Sequence, residues 1–329
     1  MHPGITTQRS LRKHAVRLLL QSRMTSTRAK HMAAWRAWKR FCRHINAKHT
    51  DVSEHLLVLF VAWLSKVRKV AHGTARQYTY GVCAFFTLMG TPLVPDSLPR
   101  MVLALDGFKR MSPATKRKPK SRVTMALLRQ LKPHVKRRVR REATLWALMV
   151  TATQGLFRLG ELVASPGSAA APRKEHLRFC GSKAAALFLP DSKTDYLRKG
   201  VEVFLANIPG QLCAPPLLAE LHQSSDAKSP LFCVDGAAAT KHDVLKFLQT
   251  LLSRAGVKTK GTLKGHSFRQ GGAQSLFDAG VSIEDIKIFG RWKSDAFRSY
   301  IEMSLARVEA CHARMATVQE SIARWDPDL

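Results

Sequence analysis

Apolar positions fall into helical stripes along the first hundred residues. Over residues 25–41, Met32, Trp35, Trp38 and Phe41 recur at steps of three, which predicts an amphipathic helix with its aromatic stripe packed inward. A second helix is predicted over 53–67, with Ser53 as its cap and Leu56, Leu57, Phe60, Trp63 and Leu64 as its apolar face. A third, over 74–89, carries Tyr78, Val82, Phe85 and Phe86. Pro92, Pro95 and Pro99 interrupt the periodicity before a short fourth helix near Met101 and Leu105.

The pattern then breaks. Residues 110–122 (RMSPATKRKPKSR) are polar, densely basic and carry Pro113 and Pro119, the composition of a linker. The KRKPK run inside it also fits a nuclear-localisation or phosphate-tracking segment. Beyond it, helices are predicted over 124–131 and 142–162, and short extended runs over 176–180, 185–189 and 201–205. Helices return from about Leu217. The fold class expected is mainly α with a small antiparallel β-sheet, in two domains. Residues 1–110 form a helical domain, 111–122 a basic linker and 123–329 an α+β domain. The last apolar stripe, Leu305, Val308, Cys311, Met315, Val318 and Ile322, predicts a C-terminal amphipathic helix.

Charge adds a partner to this outline. Lys and Arg total 54 against 23 Asp and Glu, a net charge of +31. Such a surface attracts polyanions, and each phosphate it neutralises releases a condensed counterion, so nucleic acid is the expected partner. The first fifty residues hold twelve Lys and Arg and no acid before Asp51, which suits a phosphate-contacting arm better than a transit peptide. The six cysteines are scattered, without a CxxC pair. That argues against a zinc site or a disulfide framework and fits a reducing compartment. The longest apolar-rich run, 143–157, is too short and too polar for a membrane span.

Four motifs carry candidate chemistry. In GLFRLGEL (155–162), Arg158 and Glu161 stand three apart and share a helix face, which taken alone is ordinarily a surface ion pair. LPDSKTDYLRKG (189–200) lies between two extended runs, so a hairpin loop presents Lys193, ordinarily a solvated residue. In GHSFRQGGA (265–273), His266 and Arg269 open a helix whose N-terminus favours an anion, and Gly271, Gly272 and Ala273 allow close backbone approach. In GRWKSDAFRSYIEM (290–303), Ser294 or Asp295 caps a short helix with Tyr300 about one and a half turns inside it, where a tyrosine is ordinarily a half-buried core residue.

Taken in order, Arg158, Lys193, His266, Arg269, Trp292 and Tyr300 resemble the catalytic series of the tyrosine recombinase (phage integrase) family. The GRW-x-SDAF-x-x-YI form is similar to integrases of eukaryotic DIRS and Crypton elements. The resemblance covers 124–300 well and the N-terminal part loosely, as a helical core-binding domain, and Trp292 replaces the family's commoner His. It implies a DNA recombinase in which Tyr300 is the nucleophile, forming a 3′-phosphotyrosyl intermediate. Arg158 and Arg269 would offer forked donors to the phosphate oxygens, with further hydrogen bonds from His266 and Trp292. His266 is also a candidate base, Lys193 the general acid for the leaving 5′-hydroxyl, and Glu161 a supporting residue beside Arg158. Neither metal nor cofactor is expected. The partners implied are double-stranded DNA and three further copies of the chain in a tetramer, with the C-terminal helix docking on a neighbour. The place implied is the nucleus for a eukaryotic element and the nucleoid for a bacterial one. Tyr196 is the one rival nucleophile. A type IB topoisomerase is the nearest rival enzyme, disfavoured because His266 stands where those enzymes carry Lys. A non-catalytic domesticated DNA-binding protein is the rival from another class.

Overall fold

A computed structural model of the chain describes residues 8–22, 25–112, 121–164, 171–190, 199–222, 226–303 and 305–317. They form two compact units, Met1–Arg117 and Lys118–Leu329. The expected class is borne out: both units are mainly helical, and the second contains the small antiparallel sheet. No described helix is long and apolar enough to cross a membrane, and all six cysteines are free thiols.

The first unit contains α1 (Gln8–Gln21), α2 (Thr25–His44), α3 (Glu54–Lys66), α4 (His72–Leu88) and α5 (Pro99–Met111). The aromatic stripes build its core, with Trp38, Phe41, Phe60 and Leu64 at most 1% exposed. Trp35 stacks on Phe85 with centroids 4.0 Å apart, and the Trp38 indole donates to the His49 carbonyl at 3.0 Å. Met32, expected in the same stripe, is 48% exposed: strict steps of three drift around a helix of about 3.6 residues per turn, and Ala34 continues the buried face instead. Ser53 caps α3 as its sequence suggests, accepting from the Leu56 amide at 3.2 Å. α5 is longer than its apolar residues indicate. Pro99 opens it, and Glu54, from α3, accepts the Arg100 and Met101 amides at 2.7 and 3.2 Å. The basic arm contains α1, of which no residue is buried.

The second unit opens with α6 (Met125–Leu131), capped by Thr124, followed by α7 (Arg140–Gln154) and α8 (Leu159–Leu162). Strands β1 (Leu177–Cys180), β2 (Ala184–Leu189) and β3 (Val201–Ala206) pair antiparallel in that order, with Leu177 opposite Leu187 and Leu187 opposite Val203. Then come α9 (Ala214–His222), a two-stranded ribbon of β4 (Cys233–Val234) and β5 (Ala237–Ala238), α10 (Lys241–Arg254), α11 (Ser267–Asp278), α12 (Ile283–Phe289) and α13 (Leu305–Thr317). α7 is the centre, buried from Thr144 through Thr153 and packed by α9, α10 and α11. Gly271 and Gly272 of α11 allow close backbone approach as expected. A Cβ on the first would collide with the Val123 carbonyl, and one on the second with that of Thr153.

Three expectations need correction. The helix expected over 142–162 is two helices, because the chain reverses at Gly155 and Leu156, the latter at φ +49°. Tyr300 is the last residue of a 3₁₀ turn, Asp295–Tyr300, not the interior of an α-helix. Ser294 precedes that turn without a side-chain capping bond, and Asp295 pairs instead with Lys287 at 2.7 Å. α13 runs to Thr317; Val308 and Cys311 of its stripe are half-buried, whereas Val318 and Ile322 lie outside the described residues. So do the KRKPK run, Lys193 and Tyr196.

Candidate active site

The break after α7 creates the first half of the site. Gly155 ends the helix, since a Cβ there would strike the Phe157 ring, and Leu156 takes the left-handed conformation usually left to glycine. That conformation costs a non-glycine residue about 1–2 kcal/mol. Full burial of the Leu156 side chain with Ala273, Ile286 and Phe297 outweighs it. The reversal delivers Arg158 to the position that precedes α8 rather than to a helix face. Glu161, one turn on, reaches back to accept both the Arg158 amide at 2.8 Å and its guanidinium at 2.7 Å. With a side chain only 7% exposed, Glu161 is a buried anchor for Arg158, not half of a surface pair.

Arg269 lies at the heart of the unit, 1% exposed. A buried guanidinium demands acceptors, and here they are the ends of two other helices. Its Nη1 donates to the Leu156 carbonyl after α7 and its Nη2 to the Gly290 carbonyl after α12. Helix C-termini carry unpaired carbonyls and the negative end of the helix dipole, so this placement offsets the cost of burial. The Trp292 ring covers the guanidinium, 4.3 Å from the guanidinium carbon to the ring centroid. Burial, and then the positive charges of Arg158 and Arg291, push Arg269 down to about 9, with Glu161 and Tyr300 acting in the opposite direction. It is cationic at neutral pH.

Trp292 also stacks on Phe297 at 5.0 Å and meets the edge of Tyr300 at 6.0 Å, so the indole links Arg269 to Tyr300. The backbone after Tyr300 is pinned separately. Gln274 of α11 donates to the Glu302 carbonyl at 2.8 Å and accepts from the Glu302 amide at 2.9 Å, while Arg122 pairs with the Glu302 carboxylate at 2.6 Å. His266 stands immediately before α11, one turn from Arg269 but in a different setting, exposed where Arg269 is enclosed.

The structure therefore gathers Arg158, Glu161, Arg269, Trp292 and Tyr300, with His266 at the start of the same helix as Arg269. Lys193 belongs to the connection between β2 and β3, outside the described residues. Tyr78 and Tyr80 lie in the first unit. Sequence reasoning missed Arg291. At φ +58° it turns back to donate to the Gly155 carbonyl at 3.1 Å, meets Glu161 at 3.4 Å and lies over the Phe157 ring at 5.0 Å. Burial pushes its ionisation down, with Glu161 opposing. Its only sequence signal is its place beside Trp292 in the GRW triplet.

No protein-family model matches this sequence, and no curated protein does. Solved structures do. A lambda integrase tetramer bound to a Holliday junction aligns with TM-score 0.54 at 13% identity over 91% of this chain and 78% of its own. XerH recombinase in a post-cleavage complex with palindromic difH aligns with TM-score 0.55 at 14% identity, over 84% and 76%. Residues 82–397 of the Tn1549 transposon integrase, in complex with circular intermediate DNA, align with TM-score 0.51 at 13% identity, over 86% and 98%. At these identities the likeness is one of architecture, and the chain has the fold of the tyrosine recombinases.

Proposed function

We propose that this chain is a site-specific recombinase or integrase that cuts and rejoins double-stranded DNA through a 3′-phosphotyrosyl bond at Tyr300, in the integration or excision of a mobile element. The observation that carries the reading is the grouping of Tyr300 with the enclosed cation Arg269 through Trp292, with Arg158 and Arg291 adding positive charge. A phosphodiester passing through a charged transition state needs such fixed donors, each worth about 2.7–4 kcal/mol in catalysis.

In this reading the Tyr300 oxygen attacks the scissile phosphorus and His266 takes its proton. The bond to the 5′ oxygen breaks, and Lys193, by family resemblance, protonates the departing 5′-hydroxyl. The phosphotyrosyl bond conserves the energy of the phosphodiester, so rejoining is the reverse step and needs no nucleotide. Arg158, a quarter exposed and braced by Glu161, reaches a phosphate as it stands. Arg269, held by the Leu156 and Gly290 carbonyls beneath the Trp292 ring, supplies fixed positive charge behind that phosphate. Likeness to a tetrameric integrase on a Holliday junction supports four copies acting on DNA, with α13 as the element that docks on a neighbour.

The test is a duplex carrying a nick beside the cleavage point, so that the short product diffuses away and the covalent complex accumulates. A slow-migrating adduct on a denaturing gel, formed by the wild type and absent with Tyr300→Phe, is the expected result. An adduct that persists in the variant moves the nucleophile elsewhere, and none with either protein on the element's own ends leaves a DNA-binding protein without this chemistry.

A further inference from the structure

The first unit holds a recess that the chemistry above does not use. Arg36 and Arg40 of α2, Arg68 just beyond α3 and Tyr78 of α4 surround a volume of about 220 Å³, floored by Ala33 and Ala37. On α2 these residues stand at 33, 36, 37 and 40, a single stripe in which two small side chains leave room between two long cationic ones. α2 is set close to α4, where Gly81 faces Ala34 without space for a Cβ. Tyr78 thereby becomes the far wall.

No carboxylate among the described residues answers the charges in this recess; Arg68 meets the Trp63 ring, 5.8 Å from its guanidinium carbon to the centroid, which leaves its N–H donors open to an anion. Among the described residues, none of the three guanidiniums pairs with a carboxylate, and the Tyr78 hydroxyl makes no hydrogen bond to the protein. Acids are scarce throughout residues 1–117: Asp51, Glu54, Asp96 and Asp106 are the only ones. Elsewhere in the molecule exposed arginines do find carboxylates, as Arg178 does Glu202 at 2.9 Å and Arg254 does Glu142 at 2.8 Å. Arginine in place of lysine adds a further indication, because the planar fork matches the paired oxygens of a phosphate. Tyr78 supplies a neutral donor for a third oxygen.

We infer that this recess is a binding site for one backbone phosphate of duplex DNA, gripped jointly by Arg36, Arg40 and Arg68 with a hydrogen bond from Tyr78. The inference rests on the proposed function for its ligand but not on the chemistry of Tyr300. A phosphate held this way fixes the position of the first unit along the strand without reading a base.

A single phosphate gripped by three arginines behaves differently from three arginines each on its own phosphate. The affinity of the full-length chain for two duplexes of unrelated sequence is measured by fluorescence anisotropy across a salt series. Wild type, Arg36→Ala, Arg40→Ala, Arg68→Ala, the triple variant and Tyr78→Phe are compared, with melting curves to show that each folds. Neutralising one phosphate contributes about 0.9 to the slope of log affinity against log salt. The triple variant should lose about that much and no more, equally on both duplexes, and each single variant a part of it. Tyr78→Phe should weaken binding with its slope unchanged. A triple variant with the wild-type slope, or with about three times the expected loss, or with a loss confined to one sequence, overturns the site. A wild type that shows no salt-dependent binding to duplex defeats the functional reading itself.

Discussion

At the scale of residues, the site is organised around two buried charges, Glu161 and Arg269, that hold the partly exposed ones in place. Glu161 is the keystone: it accepts from Arg158 twice and from Arg291 once while nearly enclosed. Glu161→Gln keeps the volume but halves the accepting capacity and leaves two guanidiniums close together. The variant should lose on the order of 2 kcal/mol of stability, and displacement of Arg158 should slow adduct formation about 100-fold. Unchanged adduct kinetics in a folded Gln variant would show that Arg158 does not depend on this brace. Leu156 tests the opposite balance. Leu156→Gly relieves a left-handed residue worth about 1–2 kcal/mol but empties a site where deleting a leucine costs about 2–5. Burial should win, and chemical denaturation should find the glycine variant less stable by on the order of 1–3 kcal/mol.

Elements are set by where backbones meet. Gly271 brings α11 against the strand-like residue Val123, whose amide donates to the Ser267 carbonyl at 2.9 Å. Gly271→Ala drives a methyl group into the Val123 carbonyl, and the cost should reach the upper end of overpacking, about 3 kcal/mol. In a unit of this size that lowers the melting temperature by roughly 6–12 °C; a calorimetric scan that shows no drop would mean α11 and Val123 can separate cheaply. The helices of the first unit were legible in the sequence because their aromatic stripes repeat at the helical period over several turns. α1 had no such stripe facing a core, and β4 and β5 are too short for periodicity to register. Their turn was nonetheless announced by Asp235-Gly236, a pair suited to the positive φ values of 50° and 82° found there.

At the scale of the whole molecule, charge bears on stability as well as on the proposed partner. Hydrogen bonds from Arg254 hold Glu142 below its ordinary range, and one from Thr240, aided by Arg141, does the same for Asp243. Depressed carboxylates contribute stability that is complete above their unfolded values of about 4.3 and 3.9 and is lost as pH falls through the folded ones. The melting temperature should therefore hold from neutrality down to about pH 5 and fall below about pH 4. Arg254→Gln should lower the plateau and flatten that fall; an identical acid limb in the variant would remove Glu142 as a cause. For the proposed tetramer, the prediction concerns α13. Deleting residues from Val308 onward should leave the melting curve intact and abolish multi-subunit complexes on DNA in native gels, whereas loss of folding would make α13 part of its own core.

The sequence by itself determined the helical periodicity, the basic surface and the order of Arg158, Lys193, His266, Arg269, Trp292 and Tyr300, because each is a property of spacing or composition. Only the tertiary structure decided what those residues do to one another. The left-handed turn at Leu156 has no sequence mark, since it exists because burial outweighs a backbone cost. Arg291 and Gln274 gained their roles from partners 136 and 28 residues away. The enclosure of Arg269 by two helix ends and an indole arises from long-range packing, which a pattern read along the chain does not contain.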